Sequence, residues 1–257
     1  MRPGRGAANM ALDEAAMELA REGRFVFRTY LWRPECVSLG RNQPTGESLG
    51  GRPTGDMEPG RDVVRRPSGG RAVYHGPEIT YAFVAPERAL GGPRAIYRAV
   101  HDALRTALVG LGVPVDPPLT RRPREPDDAH GRRKRGVSLT LDECFVSPGP
   151  DELTVGRRKL VGSAQWRNSG AVLQHGSILI RNRQSMATVD GGGGRGAIGL
   201  GDLGPVPARS EIVDAIVVAL ADRLEAETEH TAIPRDVVRD ATTLARRYDQ
   251  TAWTWRR

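Results

Sequence analysis

Two short runs hold most of the residues that could do chemistry. The first is Ser68-Gly69-Gly70, set between Arg65, Arg66 and Arg71 and followed by Tyr74 and His75. Paired glycines let a backbone approach a ligand closely and expose its N–H groups, and adjacent guanidiniums suit phosphate or carboxylate oxygens. The run is neither a P-loop nor a G-x-G-x-x-G, and taken alone it reads more readily as a plain turn between two strands with solvated arginines. The second is Lys159-Leu-Val-Gly162-Ser163-Ala164-Gln165. A lysine entering a strand, then small residues, leaves room for a ligand against the backbone while the ammonium stabilises an anion or oxyanion. A strand bulge with an exposed lysine has the same appearance.

Two further side chains could act as base or nucleophile. His175, followed by Gly176, lies inside an apolar strand, where a histidine is more often a hydrogen-bonded interior residue than a base. Cys144, in ECFVSP, stands at a strand-to-loop junction, where a thiolate stabilised by Lys159 or by backbone N–H groups would attack thioesters. A lone cysteine is also a small buried hydrophobe. Cys36 falls within a predicted strand and reads as structural. Two cysteines supply neither a disulfide framework nor a zinc site, so no metal is expected.

These residues need elements to hold them. Asn9 reads as the N-cap of a helix carrying Met10, Ala11, Ala15 and Leu19, stopped at Gly23. Strands are predicted over 25–32, 37–39, 72–74 and 79–84. The apolar positions Ile96, Val100, Ala103, Leu104, Ala107, Leu108 and Leu111 recur at three and four and predict a helix over 95–111. Antiparallel strands follow from 139 to 180, with turns at 156–158 and 169–170. Ser210 reads as the cap of a helix ending at Leu224, and Pro234 opens a last helix to about Tyr248. Aperiodic Gly-, Pro- or Arg-rich stretches near 44–61, 117–136 and 189–207 read as loops. The order of elements predicts an α+β (mixed α/β) fold, a central mixed β-sheet flanked by helices, over a single domain of residues 1–257.

Composition bounds the remainder. The chain has 257 residues, of which 39% are hydrophobic, and 38 basic against 31 acidic side chains, a net charge of +7. That composition excludes wholesale disorder. No stretch reaches the roughly 18 apolar residues a membrane helix needs, and Asp13 and Glu14 interrupt the place where a signal peptide would be apolar. A cytoplasmic protein with no membrane partner is expected. Aromatic residues are only 5%, and no helix-turn-helix pattern occurs, so nucleic acid is not an expected partner.

NMALDEA at 9–15, VSLGRNQ at 37–43, RRPSGGRAVYH at 65–75, KLVGSAQWR at 159–167 and LQHGSILI at 173–180 together resemble the biotin/lipoate ligase and octanoyltransferase superfamily, in order and spacing, over residues 9–255. The resemblance implies a fatty-acyl tunnel bordered by the SGG loop, the KxxGSA strand and the HG strand. Arg66, Ser68, Gly69, Gly70, Arg71, Ala72, Tyr74 and His75 would bind substrate on one side. Lys159 would hold the acyl carbonyl or an adenylate phosphate, Gly162, Ser163, Ala164 and Gln165 would leave space for the chain, and His175 and Gly176 would shape the floor.

Two chemistries compete within that superfamily. GGRAVYHxxEITYAF and the position of Cys144 upstream of the lysine run are similar to the Cys-dependent octanoyltransferases, which need no cofactor. Their donor is octanoyl acyl carrier protein. Their acceptors are the lipoyl domains of the glycine cleavage H protein or of 2-oxo acid dehydrogenase acyltransferase subunits. The alternative is an ATP- and Mg-dependent lipoate-protein ligase in which Cys144 is incidental. A noncatalytic module that binds an acyl or biotin-like ligand is a further alternative. Gly76-Pro77 after His75 departs from the transferase pattern, and no separate ligase accessory domain is expected.

Overall fold

The computed structural model describes residues 3–44, 61–118, 152–187 and 196–256. Cys144, the strand expected over 139–145 and most of the loops near 44–61 and 117–136 lie outside them.

The fold is α+β, as its residue pattern predicts. The strands are β1 (Pro3–Gly4), β2 (Val26–Trp32), β3 (Cys36–Leu39), β4 (Asp62–Arg65), β5 (Val73–His75), β6 (Glu78–Pro86), β7 (Leu153–Val155), β8 (Arg158–Asn168) and β9 (Ala171–Leu179). Six form a mixed sheet in the order β1-β2-β6-β9-β8-β7, antiparallel except for β1 beside β2. Three form a smaller sheet, β4-β3-β5. The strands expected over 72–74 and 79–84 are both present as β5 and β6, and they join different sheets. Residues 76–77 carry the chain from the small sheet to the large one, and Pro77 O accepts N–H groups from Ile180 and Arg181.

Alternation along β6 sets the two layers. Ile79, Tyr81, Phe83 and Ala85 face one cluster, and Ala82 and Val84 face the other. The helices are α1 (Gly6–Ala15), α2 (Met17–Arg21), α3 (Pro93–Gly110), α4 (Arg209–Leu224), α5 (Arg235–Tyr248) and α6 (Thr251–Thr254). On the first face α3 lays down its stripe of Ile96, Val100, Ala103, Leu104, Ala107 and Leu108, joined by Ile212, Ile216 and Leu220 of α4. On the second face α1, α2 and α5 bury Met10, Met17, Leu19, Val237, Ala241 and Tyr248 against Tyr30, Trp32 and Leu173. Fully burying one such side chain stabilises by about 1.5–3 kcal/mol. Among the described residues no helix is long and apolar enough to cross a membrane.

Two helix starts differ from the sequence reading. The first helix begins before Asn9, because Asp62 Oδ2 accepts the Gly6 N–H at 2.8 Å and caps it from a remote strand. Asn9, a buried helical residue, instead donates to Gly4 O and Leu31 O. Ser210 is the second residue of α4 rather than its cap, since Glu211 reaches back to the Ala208 N–H at 2.7 Å. The helix opened by Pro234 and the turns at 156–157 and 169–170 are as expected. Both turns place two residues at positive φ, the geometry that suits the twist of a two-residue hairpin.

Candidate active site

A cavity of about 190 Å³ lies where the two sheets meet. β8 and β9 form one wall, and their register explains its shape. Ser163 pairs with Gly176 and Gly162 with Ser177, so small residues face one another across two strands. A Cβ on Gly176 would collide with Gly162 O, Ser163 Oγ and the Tyr81 ring. Met10, Tyr30, Trp32 and Leu179 add apolar surface, and Ser38, Arg66, Gly70, Arg71, Val73 and His75 bring the small sheet and the SGG loop to the opposite side.

Ten of the expected site residues line this cavity: Arg66, Gly70, Arg71, His75, Lys159, Gly162, Ser163, Ala164, His175 and Gly176. Others of the expected set sit behind or beside it. Ala72 and Tyr74 pack with Val37 and Leu39 in the core of the small sheet, and Gly69 is exposed. Gln165 donates to Pro93 O and Gln174 Oε1.

Two arginines of the SGG run, Arg65 and Arg66, are buried rather than solvated. Arg65 is fully buried and donates to carbonyls of Gly40, Gln43, Thr254 and Arg256, tying the C-terminal segment to the turn at 40–43. Burial, and then Arg256, lower its pKa. Arg66 turns the other way and donates to Gly69 O, Arg71 O and Ser38 O, which fixes the loop. The loop also rests on Gly40, where a side chain would collide with Gly70 O. Much of the donor capacity of both guanidiniums is spent on shaping the backbone.

Serine–histidine contacts surround the cavity. Ser68 Oγ lies 2.5 Å from His175 Nε2, and His175 Nδ1 lies 3.0 Å from Asp13 Oδ2. Asp13 is wholly buried and also accepts from Arg28 and from Tyr30 OH. With His175 Nδ1–H donating to the Asp13 carboxylate, Nε2 accepts from the Ser68 hydroxyl. Burial, and then Asp13, raise the Tyr30 pKa well above its usual value and keep that hydroxyl a donor. On the other side, Ser38 Oγ lies 2.7 Å from His75 Nε2, and His75 Nδ1 lies 2.7 Å from Glu78 Oε1. Glu78 also accepts from Thr80 and Ser177, and Trp32 stacks on the His75 ring at 4.0 Å. Ser163 Oγ lies 2.8 Å from His101 Nε2, and Tyr81 OH also meets Ser163 at 2.6 Å. Burial pushes the Tyr81 pKa up to about 12.

Lys159 is 7% exposed, and its ammonium meets Glu152 Oε1 at 2.5 Å. Its backbone also pairs with the segment beyond the last strand, through Gly196 O and the Ile198 N–H. The lysine at the cavity therefore comes with a carboxylate that orients it. Cys36 is buried in the second core layer, and burial raises its thiol pKa well above the ordinary value, in keeping with a structural role.

Sequence reasoning missed Asp13, Ser38, Glu78, His101 and Glu152. Asp13 had a signal, being a charge three residues after Met10 and four before Met17, on the buried stripe of its helix. Glu78 and Thr80 had another, being polar at alternate positions of an otherwise apolar strand.

A family model described as the lipoyl protein ligase A/B catalytic domain matches residues 5–189. Among curated relatives, Octanoyltransferase LipM of Moorella thermoacetica is 41% identical over 181 residues, which are 67% of this chain and 60% of that protein's length. Octanoyltransferase LipM of Kyrpidia tusciae is 32% identical over 282 residues, covering 99% of this chain and 96% of that protein. Among solved structures, a lipoate-protein ligase A bound with ATP matches with a TM-score of 0.77 at 20% identity, covering 99% and 96% of the two chains. A bi-partite lipoate protein ligase from Thermoplasma acidophilum, studied with its E2 lipoyl domain, matches with a TM-score of 0.70 at 20% identity, covering 99% and 94%. At such identities the structural likeness shows the fold.

Proposed function

The chain belongs to the lipoyl protein ligase A/B catalytic domain family, and from that premise we propose that it is an octanoyltransferase, moving an octanoyl group from acyl carrier protein to a lysine of a lipoyl domain. The observation that carries the reading is the narrow cavity between β8, β9 and the SGG loop, walled by glycines and apolar side chains with a charged Lys159 at its border. Such a space takes an unbranched acyl chain and presents a lysine cation to its polar end. The names of the relatives support transfer over ligation.

In this mechanism the Cys144 thiolate attacks the thioester carbonyl carbon. The developing oxyanion is stabilised by the Lys159 ammonium, which Glu152 holds in place, and by backbone N–H groups. The bond from carbon to the carrier sulfur breaks, and the carrier leaves as a thiol after taking a proton. The neutral amine of the acceptor lysine then attacks the Cys144 thioester, loses a proton, and leaves the amide and the free Cys144 thiol. The glycines at 162 and 176 leave room for the chain, and the Asp13–His175–Ser68 and Glu78–His75–Ser38 networks keep the walls in one arrangement. The carbonyl is already activated as a thioester, so neither ATP nor Mg is required.

The ligase alternative keeps the same cavity but forms an acyl adenylate, with Lys159 and the SGG loop on its phosphate. Its support is the fold shared with an ATP-bound ligase. Incubation with octanoyl acyl carrier protein and a lipoyl domain separates the two. The transferase modifies the domain without ATP. Modification seen only with ATP, Mg and free octanoate or lipoate overturns the proposal.

A further inference from the structure

Beside the acyl cavity lies an open hollow of about 630 Å³, and Trp32 borders both. Four arginines reach it from three remote segments: Arg33 after β2, Arg181 and Arg183 after β9, and Arg209 at the start of α4. Glu35 is the one carboxylate on its wall. It meets Arg183 at 3.3 Å and also accepts from Tyr74 OH. Among the described residues no carboxylate ion-pairs with Arg33, Arg181 or Arg209. The hollow thus gathers four positive charges against one negative, and the gathering is made by the fold, because none of the four lies in a basic run of the sequence.

The hollow is linked to the acyl site by short paths. The Arg181 N–H donates to Pro77 O, in the turn that follows His75, and His75 stacks on Trp32. Trp32 is the wall that the two spaces share. Arginine forks hold phosphate and carboxylate oxygens in pairs, and like charges brought together in a concavity favour an anionic occupant.

We propose that this four-arginine hollow docks the acyl donor, an acidic carrier protein whose thioester hangs on a phosphodiester-linked arm. The inference rests on the transferase reading. The two protein substrates differ in the charge at their reacting ends. The donor offers its acyl group on an anionic tether, whereas the acceptor offers a lysine that is cationic in water. The guanidinium forks pair with the phosphate of that tether, a group that the reacting end of the acceptor does not carry. The hollow therefore sets which partner approaches from this side.

The test compares the wild type with the double variant Arg181→Glu/Arg183→Glu and the single variant Arg33→Glu, all changes at exposed side chains. With octanoyl acyl carrier protein, KM rises at least about tenfold in the double variant and the dependence on salt flattens. The KM for the lipoyl domain and the turnover of octanoyl N-acetylcysteamine, which carries no phosphate, stay within about twofold, and that turnover also reports an intact fold. An unchanged carrier KM overturns the proposal, as does a rise confined to the lipoyl domain. Fluorescence anisotropy of labelled octanoyl carrier protein reads docking without chemistry. Weaker binding by the variants supports the hollow even if the wild type transfers nothing from any thioester, which would instead refute the transferase reading, and equal binding overturns the hollow.

Discussion

Asp13 is the residue on which the buried side of the site turns. Its carboxylate gathers Arg28, Tyr30 and His175, and through His175 it fixes the Ser68 hydroxyl under the SGG loop. Asp13→Asn removes the charge and presents an amide donor to one of those donors, so His175 loses its fixed tautomer. Steady-state kinetics are expected to show kcat falling roughly 10²-fold with little change in KM, the signature of misplacement rather than lost binding. An equal rise in KM would place Asp13 in substrate binding instead. Gly176 is decided by sterics. Gly176→Ala drives a methyl against Gly162 O and the Tyr81 ring, and calorimetry should record a loss of about 1–3 kcal/mol, with turnover of the octanoyl thioester falling more than that of an acetyl thioester. Cys36 gives a simpler expectation. Burial raises its thiol pKa, so iodoacetamide at neutral pH leaves Cys36 unlabelled until the protein is denatured, as peptide mapping will check.

At the scale of elements, the hairpin of β7 and β8 delivers Lys159, and Asp116 holds its turn. Asp116 Oδ2 accepts from Arg157 N–H at 2.9 Å and from Thr154 Oγ1 at 2.7 Å, and Oδ1 accepts from Gly156 N–H. These bonds, led by the one from Arg157, lower the Asp116 pKa. A depressed carboxylate contributes stability that is fully present above its unfolded value of about 4 and is lost as pH falls through the folded value. Asp116→Ala should therefore cost about 1 kcal/mol at pH 7, shrinking as the pH is lowered below about 4, as urea unfolding at several pH values will measure. Elements whose cause is local were legible in the sequence. α3 follows its own apolar stripe, Pro234 opens α5, and Gly156 and Gly170 turn the hairpins. Elements closed by remote partners were not. Asp62 starts α1 from across the fold, and nothing near Asn9 signals it. Strand partners were hidden for the same reason, since β5 and β6 are separated by two residues yet join different sheets.

Across the whole molecule, the site is made where two sheets meet, and the C-terminal segment braces one of them through Arg65. Arg65 gathers carbonyls from residues 40–43 and 254–256, and Arg66 gathers those of the SGG loop, so adjacent arginines brace opposite sides of one strand end. The glycine runs, Lys159 and His175 were legible as a site because their chemistry is carried in short motifs. The partners of the histidines were not, because the pairings of Asp13 with His175 and of Ser38 with His75 exist only in the folded chain; the sequence marks Asp13 and Glu78 only as charges on buried stripes. The central claim is covalent transfer through Cys144 without nucleotide, and intact-protein mass spectrometry tests it most directly. After mixing with octanoyl acyl carrier protein in the absence of ATP, the wild-type protein should gain one octanoyl group that hydroxylamine removes, and Cys144→Ala should gain none. An unmodified wild-type protein, or an adduct that persists in Cys144→Ala, would contradict the account.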